Sequence, residues 1–189
     1  MKGSIGVAAV VAAAAMLQGC FPAAVVATGT AAMVATDRRT PGIYVEDETI
    51  EWKAAAKLRE AQFAEAHVNV TSFNRRALLT GEAPTPELRK RVEDAIRSIS
   101  NVRDVQDEIQ VAGASSLASR GNDGLITTNV KARMVNNGKF SVNHVKVITE
   151  ANVVYLMGLV TPAEGEAAAQ IARTTQGVSR VVKVFEYIS

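Results

Sequence analysis

An α+β fold, written twice from one αββαβ unit, is what this 189-residue sequence predicts. The first observation behind it is an internal repeat: His67-Val68-Asn69-Val70 returns as His144-Val145-Lys146-Val147 at an offset of 77. That offset also sets Leu79 on Leu156, Gly81 on Gly158 and Glu87 on Glu164. An offset of 76 sets Ile50 on Ile126, Val102 on Val178 and Val105 on Val181. The second observation is that the apolar period switches between helical and strand spacing in the same order in each copy. Each copy therefore reads as a small three-stranded sheet packed against two helices.

In the first copy, residues 46–112, Ile50, Ala54, Leu58 and Ala61 recur at helical spacing and predict the first helix. Trp52 lies between Glu51 and Lys53 on that helix, where half-burial against the sheet is expected. Val68 and Val70 alternate with Asn69 and Thr71 as a strand, and residues 76–81 give the next. Thr85-Pro86 supplies an N-cap and a first-turn proline, opening a helix with Leu88, Val92, Ile96 and Ile99 on one face. Residues 101–111 form the last strand. After a linker at 113–120, the second copy, residues 121–189, repeats the order. Ile126, Val130 and Met134 mark its first helix, and residues 145–149 and 153–160 its strands. Thr161-Pro162-Ala163-Glu164 is a capping box, with Ala168, Ile171 and Ala172 inward, and residues 178–188 are the final strand. Gly81 and Gly158 are expected at strand ends, and His67 and His144 at strand starts in local structural roles.

Ahead of the repeat lies an export signal. Lys2 precedes an apolar run from Ile5 to Leu17, too short to span a bilayer, and residues 1–19 read as a signal peptide. Leu17-Gln18-Gly19-Cys20 resembles a bacterial lipobox, which implies cleavage before Cys20 and acylation of its sulfur. An unpaired cysteine in an exported chain points the same way. Phe21 after that cysteine, by resemblance to the bacterial sorting rule, implies delivery to the outer membrane, facing the periplasm. Residues 20–45 are then the lipidated N-terminus and a tether, with Asp37-Arg38-Arg39-Thr40-Pro41-Gly42 as its turn-prone end.

Composition narrows function. One cysteine excludes a disulfide framework and a Cys-rich zinc module, and a net charge of +2 is too small for wholesale nucleic-acid binding. The two histidines have no Cys or carboxylate constellation near them in sequence, so no metal site, cofactor or catalytic residue is expected. Glu87 and Glu164 are helix-start carboxylates, and Ser115-Ser116 has no nucleophile elbow around it.

The two copies resemble the BON domain, an αββαβ module of bacterial envelope proteins. The likeness is strongest over residues 153–162, Val-Val-Tyr-Leu-Met-Gly-Leu-Val-Thr-Pro, and in Gly177-Val178-Ser179-Arg180-Val181-Val182. The order of lipobox, Ala/Val tether, Thr36-Asp37-Arg38-Arg39 and residues 122–128, Asn-Asp-Gly-Leu-Ile-Thr-Thr, is similar to that of dual-BON outer-membrane lipoproteins.

Charge separates the copies. Residues 46–112 hold 10 Lys/Arg and 13 Asp/Glu, net −3, whereas residues 113–189 hold 8 and 5, net +3. The second copy is the one suited to an anionic partner, and the first could pack against it. Leu125 is rotated by about 100° from the inward Ile126, toward the outside of a helix that also carries Lys131 and Arg133. An apolar side chain beside cations is how a helix wedges among anionic lipids. The resemblance implies the same: Leu125, Ile126, Lys131 and Arg133 would contact anionic phospholipids such as cardiolipin or phosphatidylglycerol, supporting outer-membrane integrity. The rival reading is a scaffold that contacts outer-membrane protein assembly or peptidoglycan-remodelling machinery through the acidic first copy.

Overall fold

A computed structural model describes residues 37–189; the signal peptide, Cys20 and the tether up to Thr36 lie outside the described residues. The elements run α1 (Pro41–Leu58), β1 (His67–Phe73), β2 (Arg76–Ala83), α2 (Pro86–Arg97), β3 (Asp104–Asp107) and β4 (Gln110–Val111). The second copy follows with α3 (Leu117–Val135), β5 (Val145–Glu150), β6 (Val153–Val160), α4 (Pro162–Arg173) and β7 (Arg180–Tyr187). The expected α+β order holds in both copies.

Boundaries moved where capping chemistry set them. Thr40 accepts the Ile43 amide and Pro41 takes the first helical position, so α1 begins at Pro41 and includes residues 41–45, expected in the tether. It stops at Leu58, leaving Ala61 in a short 3₁₀ turn whose Phe63 fills the first core. Ser116 caps α3 in the same way, so that helix starts inside the expected linker. Thr161 and Glu164 form the reciprocal capping box of α4.

Each sheet has the second strand of its hairpin in the middle: β2 pairs antiparallel with β1 and parallel with β3, and β6 does the same with β5 and β7. The last strand of the first copy is broken. Asp107 accepts the Ile109 amide at 2.9 Å, Ile109 turns into the core, and pairing with β2 resumes at β4. Gly81 and Gly158 lie inside β2 and β6, not at their ends. A Cβ at Gly81 would stand 2.1 Å from the His67 carbonyl oxygen, and one at Gly158 2.3 Å from that of His144. The repeated glycine thus answers a backbone contact with the repeated histidine.

Strand alternation sends Ala77 and Leu79 toward the helices and Leu78 away from them, and likewise Leu156 against Tyr155 and Met157. The faces turned away from the helices meet each other. Phe73, Leu78, Val153, Tyr155, Met157 and Val184 form a third core that joins the two sheets. Burial there pushes the Tyr155 phenol up to about 12, with the Glu108 carboxylate adding to the effect. Around this core the acidic copy meets the basic one: Lys146 Nζ donates to Glu51 Oε1 at 2.7 Å, and Arg180 lies 3.8 Å from Glu108. Polar bonds also run without regard to net charge, as where Asn69 Nδ2 donates to Glu150 Oε2 at 3.0 Å.

Candidate functional site

Helix α3 buries Asp123, Ile126, Val130 and Met134 and turns Gly121, Leu125, Thr128, Ala132 and Val135 to solvent. The spacing i, i+4, i+7, i+11, i+14 makes this outward row one uncharged ridge. Leu125 is 66% exposed and Val135 63% exposed, so the ridge has an apolar side chain near each end. Ile126 corrects the sequence expectation. At 3% exposure it belongs to the second core, packed beneath Gly177, and offers no surface to a lipid.

Lys131 and Arg133 differ in a way that sequence could not separate. Two positions along a helix are about 200° apart, so the side chains leave opposite flanks. Arg133 folds back onto the end of α4: Nη1 donates to Ile171 O at 3.0 Å and to Thr175 Oγ1 at 2.7 Å, and Nη2 donates to Thr174 Oγ1 at 2.9 Å. A guanidinium on the last carbonyls of a helix suits the negative end of its dipole. Arg133 is therefore engaged as a cap at the end of α4, on an exposed flank of α3. Arg173 and Lys183 both bind Glu166, and Lys146 binds Glu51. Among the described basic residues of this copy, Lys131 and Lys139 are exposed with side chains in no ion pair and no hydrogen bond. The positive surface is therefore narrower than the composition of this copy suggests.

Sequence reasoning missed two clasps. The Asp47 carboxylate accepts the Asn74 and Arg75 amides at 2.8 and 2.7 Å, the Ser72 hydroxyl at 2.7 Å and Arg39 Nη1 at 2.7 Å. Asp123, 76 residues on, accepts the Ala151 and Asn152 amides at 2.9 and 2.8 Å. Both pairs of turn residues sit at positive φ with no glycine, in two-residue hairpin loops. The carboxylate holds each loop against the helix. Arg39 is buried between Asp37 and Asp47, its guanidinium 4.0 Å from the Phe73 ring centre. Burial opposes its charge, but the bonds to Asp37 and Asp47 outweigh that and raise its pKa. The residue pair expected to be a loose turn, Arg38-Arg39, thus locks the chain onto both copies: Arg38 binds Glu164 and the Leu159 carbonyl.

Trp52 also departs from expectation. It is 83% exposed, because Ile50 and Ala54 take the inward stripe and Trp52 points about 200° from either. The histidines stay apart, one in each copy; His144 Nδ1 lies 3.8 Å from Glu164 Oε1. Among the described residues no group of three or more His, Cys, Asp or Glu side chains is placed to hold a metal ion, and no helix is long and apolar enough to cross a membrane.

The family model for the BON domain matches residues 46–113 and 122–189. The chain is 39% identical over 174 residues to the outer membrane lipoprotein DolP of Haemophilus influenzae, covering 91% of this chain and 90% of that one. It is 34% identical over 154 residues to a 21 kDa hemolysin of Actinobacillus pleuropneumoniae, covering 80% and 79%. Osmotically-inducible protein Y of Escherichia coli is 25% identical over 144 residues, covering 74% and 72%.

Proposed function

Because this chain belongs to the BON-domain family, as a two-domain outer-membrane lipoprotein of the DolP type, we propose that it is a non-catalytic membrane adaptor. In this reading Cys20 carries the acyl anchor, and the outward ridge of α3 docks on anionic phospholipid in support of outer-membrane integrity. The observation that carries it is the exposed Leu125 on one helix with Lys131, which is in no ion pair among the described residues. Burying a leucine contributes roughly 1.5–3 kcal/mol, and a lysine at an anionic surface about 1 kcal/mol. Terms of that size give weak binding from solution. They become effective for a protein already held beside the bilayer, where the second contact is intramolecular.

Co-sedimentation of the mature chain carrying Cys20→Ser with vesicles tests this. Binding should rise with cardiolipin or phosphatidylglycerol content, fall with salt, and be lost in Leu125→Asp. Binding that survives Leu125→Asp would sink the α3 assignment and favour the scaffold reading, with its contact to envelope machinery through the first domain.

A further inference from the structure

Trp52 is the sole tryptophan of the chain, and it stands in water at 83% exposure. On α1 the exposed residues Val45, Thr49, Trp52 and Ala56 recur at i, i+4, i+7 and i+11 without a charge among them. Val45 is 63% exposed, and a shallow depression of about 430 Å³ runs along this ridge between Tyr44 and Lys53. The repeat offset of 76 maps these four positions onto Gly121, Leu125, Thr128 and Ala132, the outward ridge of α3. Both copies therefore present the same ridge of their first helix. The first copy arms it with valine and tryptophan, the second with leucine.

The course of the chain indicates what covers this ridge. Helix α1 is the first described element after the anchor of the proposed function, a reading on which this inference rests. The 17 residues from Cys20 to Thr36 can place Asp37 at most about 60 Å from the anchored sulfur, even when fully extended. From there the chain is pinned: Arg38 is bonded to Glu164, and Arg39 to Asp47 of α1 itself. The start of α1 is thus tied to the point where the tether arrives. An indole has an apolar body and a polar N–H, the combination enriched where bilayers meet water. The charges beside the ridge, Glu48 and Lys53, cancel.

We propose that the Val45–Trp52 ridge is a second lipid-contact face, seated in the headgroup region of the membrane that carries this chain's own anchor. Its neutrality sets it apart from α3. Lys131 gives α3 a preference for anionic lipid, whereas the α1 ridge engages neutral bilayers equally well.

The test uses the full acylated chain reconstituted in phosphatidylcholine vesicles, with and without cardiolipin, and Trp52 as the built-in probe. Trp52 emission should move to the blue, resist acrylamide and be quenched by phospholipids brominated high on the acyl chain. These signals should be the same in both vesicle types, persist in Leu125→Asp and be lost in Val45→Asp. An acylated chain whose Trp52 emission equals that of the Cys20→Ser chain in buffer overturns the proposal while leaving the α3 reading intact. Signals that vanish with Leu125→Asp also overturn it, since the contact would then follow from α3. A blue shift without vesicles that grows with protein concentration assigns the ridge to a second copy instead. The mass of the N-terminal peptide reports acylation separately; an unmodified Cys20 overturns both readings.

Discussion

Arg38 and Glu164 close a bidentate ion pair across 126 residues, Nη1 donating to Oε2 at 2.7 Å and Nη2 to Oε1 at 2.9 Å. Arg38, together with hydrogen bonds from Thr161, brings the Glu164 carboxyl down to about 2. A folded-state pKa below the unfolded value means that this stability is complete above about pH 4.5 and drains away as pH falls toward 2. Arg38→Ala should therefore cost on the order of 1 kcal/mol at neutral pH. It should also shrink the loss of stability between about pH 4.5 and 2, because the Glu164 carboxyl then titrates closer to its unfolded value. Glu164→Gln should flatten the acid limb of the same curve. Urea titrations between pH 2 and 7 check both; an unchanged acid limb in Glu164→Gln would remove Glu164 as its source.

The two clasps differ in what they leave behind when cut. Removing Asp47 strips partners from two turn amides, a serine hydroxyl and the buried Arg39, whereas removing Asp123 strips two amides. Arg39 keeps its bonds to Asp37, so Asp47→Ala leaves that guanidinium one carboxylate in place of two, besides the stranded hydroxyl and amides. Asp47→Ala should therefore cost more than Asp123→Ala, about 2–4 kcal/mol against about 1–3 kcal/mol. Equal losses in chemical denaturation would contradict this account.

The duplicated architecture was legible because it is written in local patterns. Thr85-Pro86 and Thr161-Pro162-Ala163-Glu164 announce helix starts, and the alternation around Val68 and Val154 announces strands. The ridge of α3 was legible for the same reason: Leu125 falls outside the Ile126, Val130, Met134 stripe by periodicity alone. What stayed hidden depends on residues distant in sequence. Nothing near Arg133 says that Thr174 and Thr175 will claim it, and nothing near Arg38 points to Glu164. The clasps did leave a trace. Asp47-Ile50-Ala54 and Asp123-Ile126-Val130 share one spacing, so an aspartate heading the inward stripe of both copies was a signal that an internal alignment could have caught. Trp52 was misplaced because bulk argues for burial, while the helical period already assigned the inward face to its neighbours.

The histidines enter the fold through their carbonyls, which makes a sharp contrast testable. Gly81→Ala would place a Cβ 2.1 Å from a backbone oxygen, and Gly81 also holds φ at +109°, where side chains are strained. Gly158→Ala meets the same obstacle at 2.3 Å. Because the obstacle is backbone, strands must shift, and each substitution should cost about 3 kcal/mol or more. His67→Ala and His144→Ala keep the carbonyl and should cost less than their glycine partners. Thermal unfolding of the four variants decides; a histidine variant as damaging as its glycine partner would show that the imidazole carries the role.

Lys131 and Arg133 sit two residues apart and should fail differently. Arg133 already spends its guanidinium on Ile171, Thr174 and Thr175, so Arg133→Ala should lose about 1 kcal/mol of stability, the scale of a helix-end cation. Its vesicle binding should hardly change. Lys131 is bonded to none of the described residues, so Lys131→Ala should leave unfolding unchanged. It should weaken binding to anionic vesicles by roughly five-fold, the equivalent of about 1 kcal/mol per surface lysine. The salt dependence of binding should become shallower in Lys131→Ala and stay as it is in Arg133→Ala. Paired denaturation and co-sedimentation measurements separate the two. If Arg133→Ala weakened binding at unchanged stability, the guanidinium would have to leave α4 when lipid arrives, and the positive face of α3 would span both flanks of the helix.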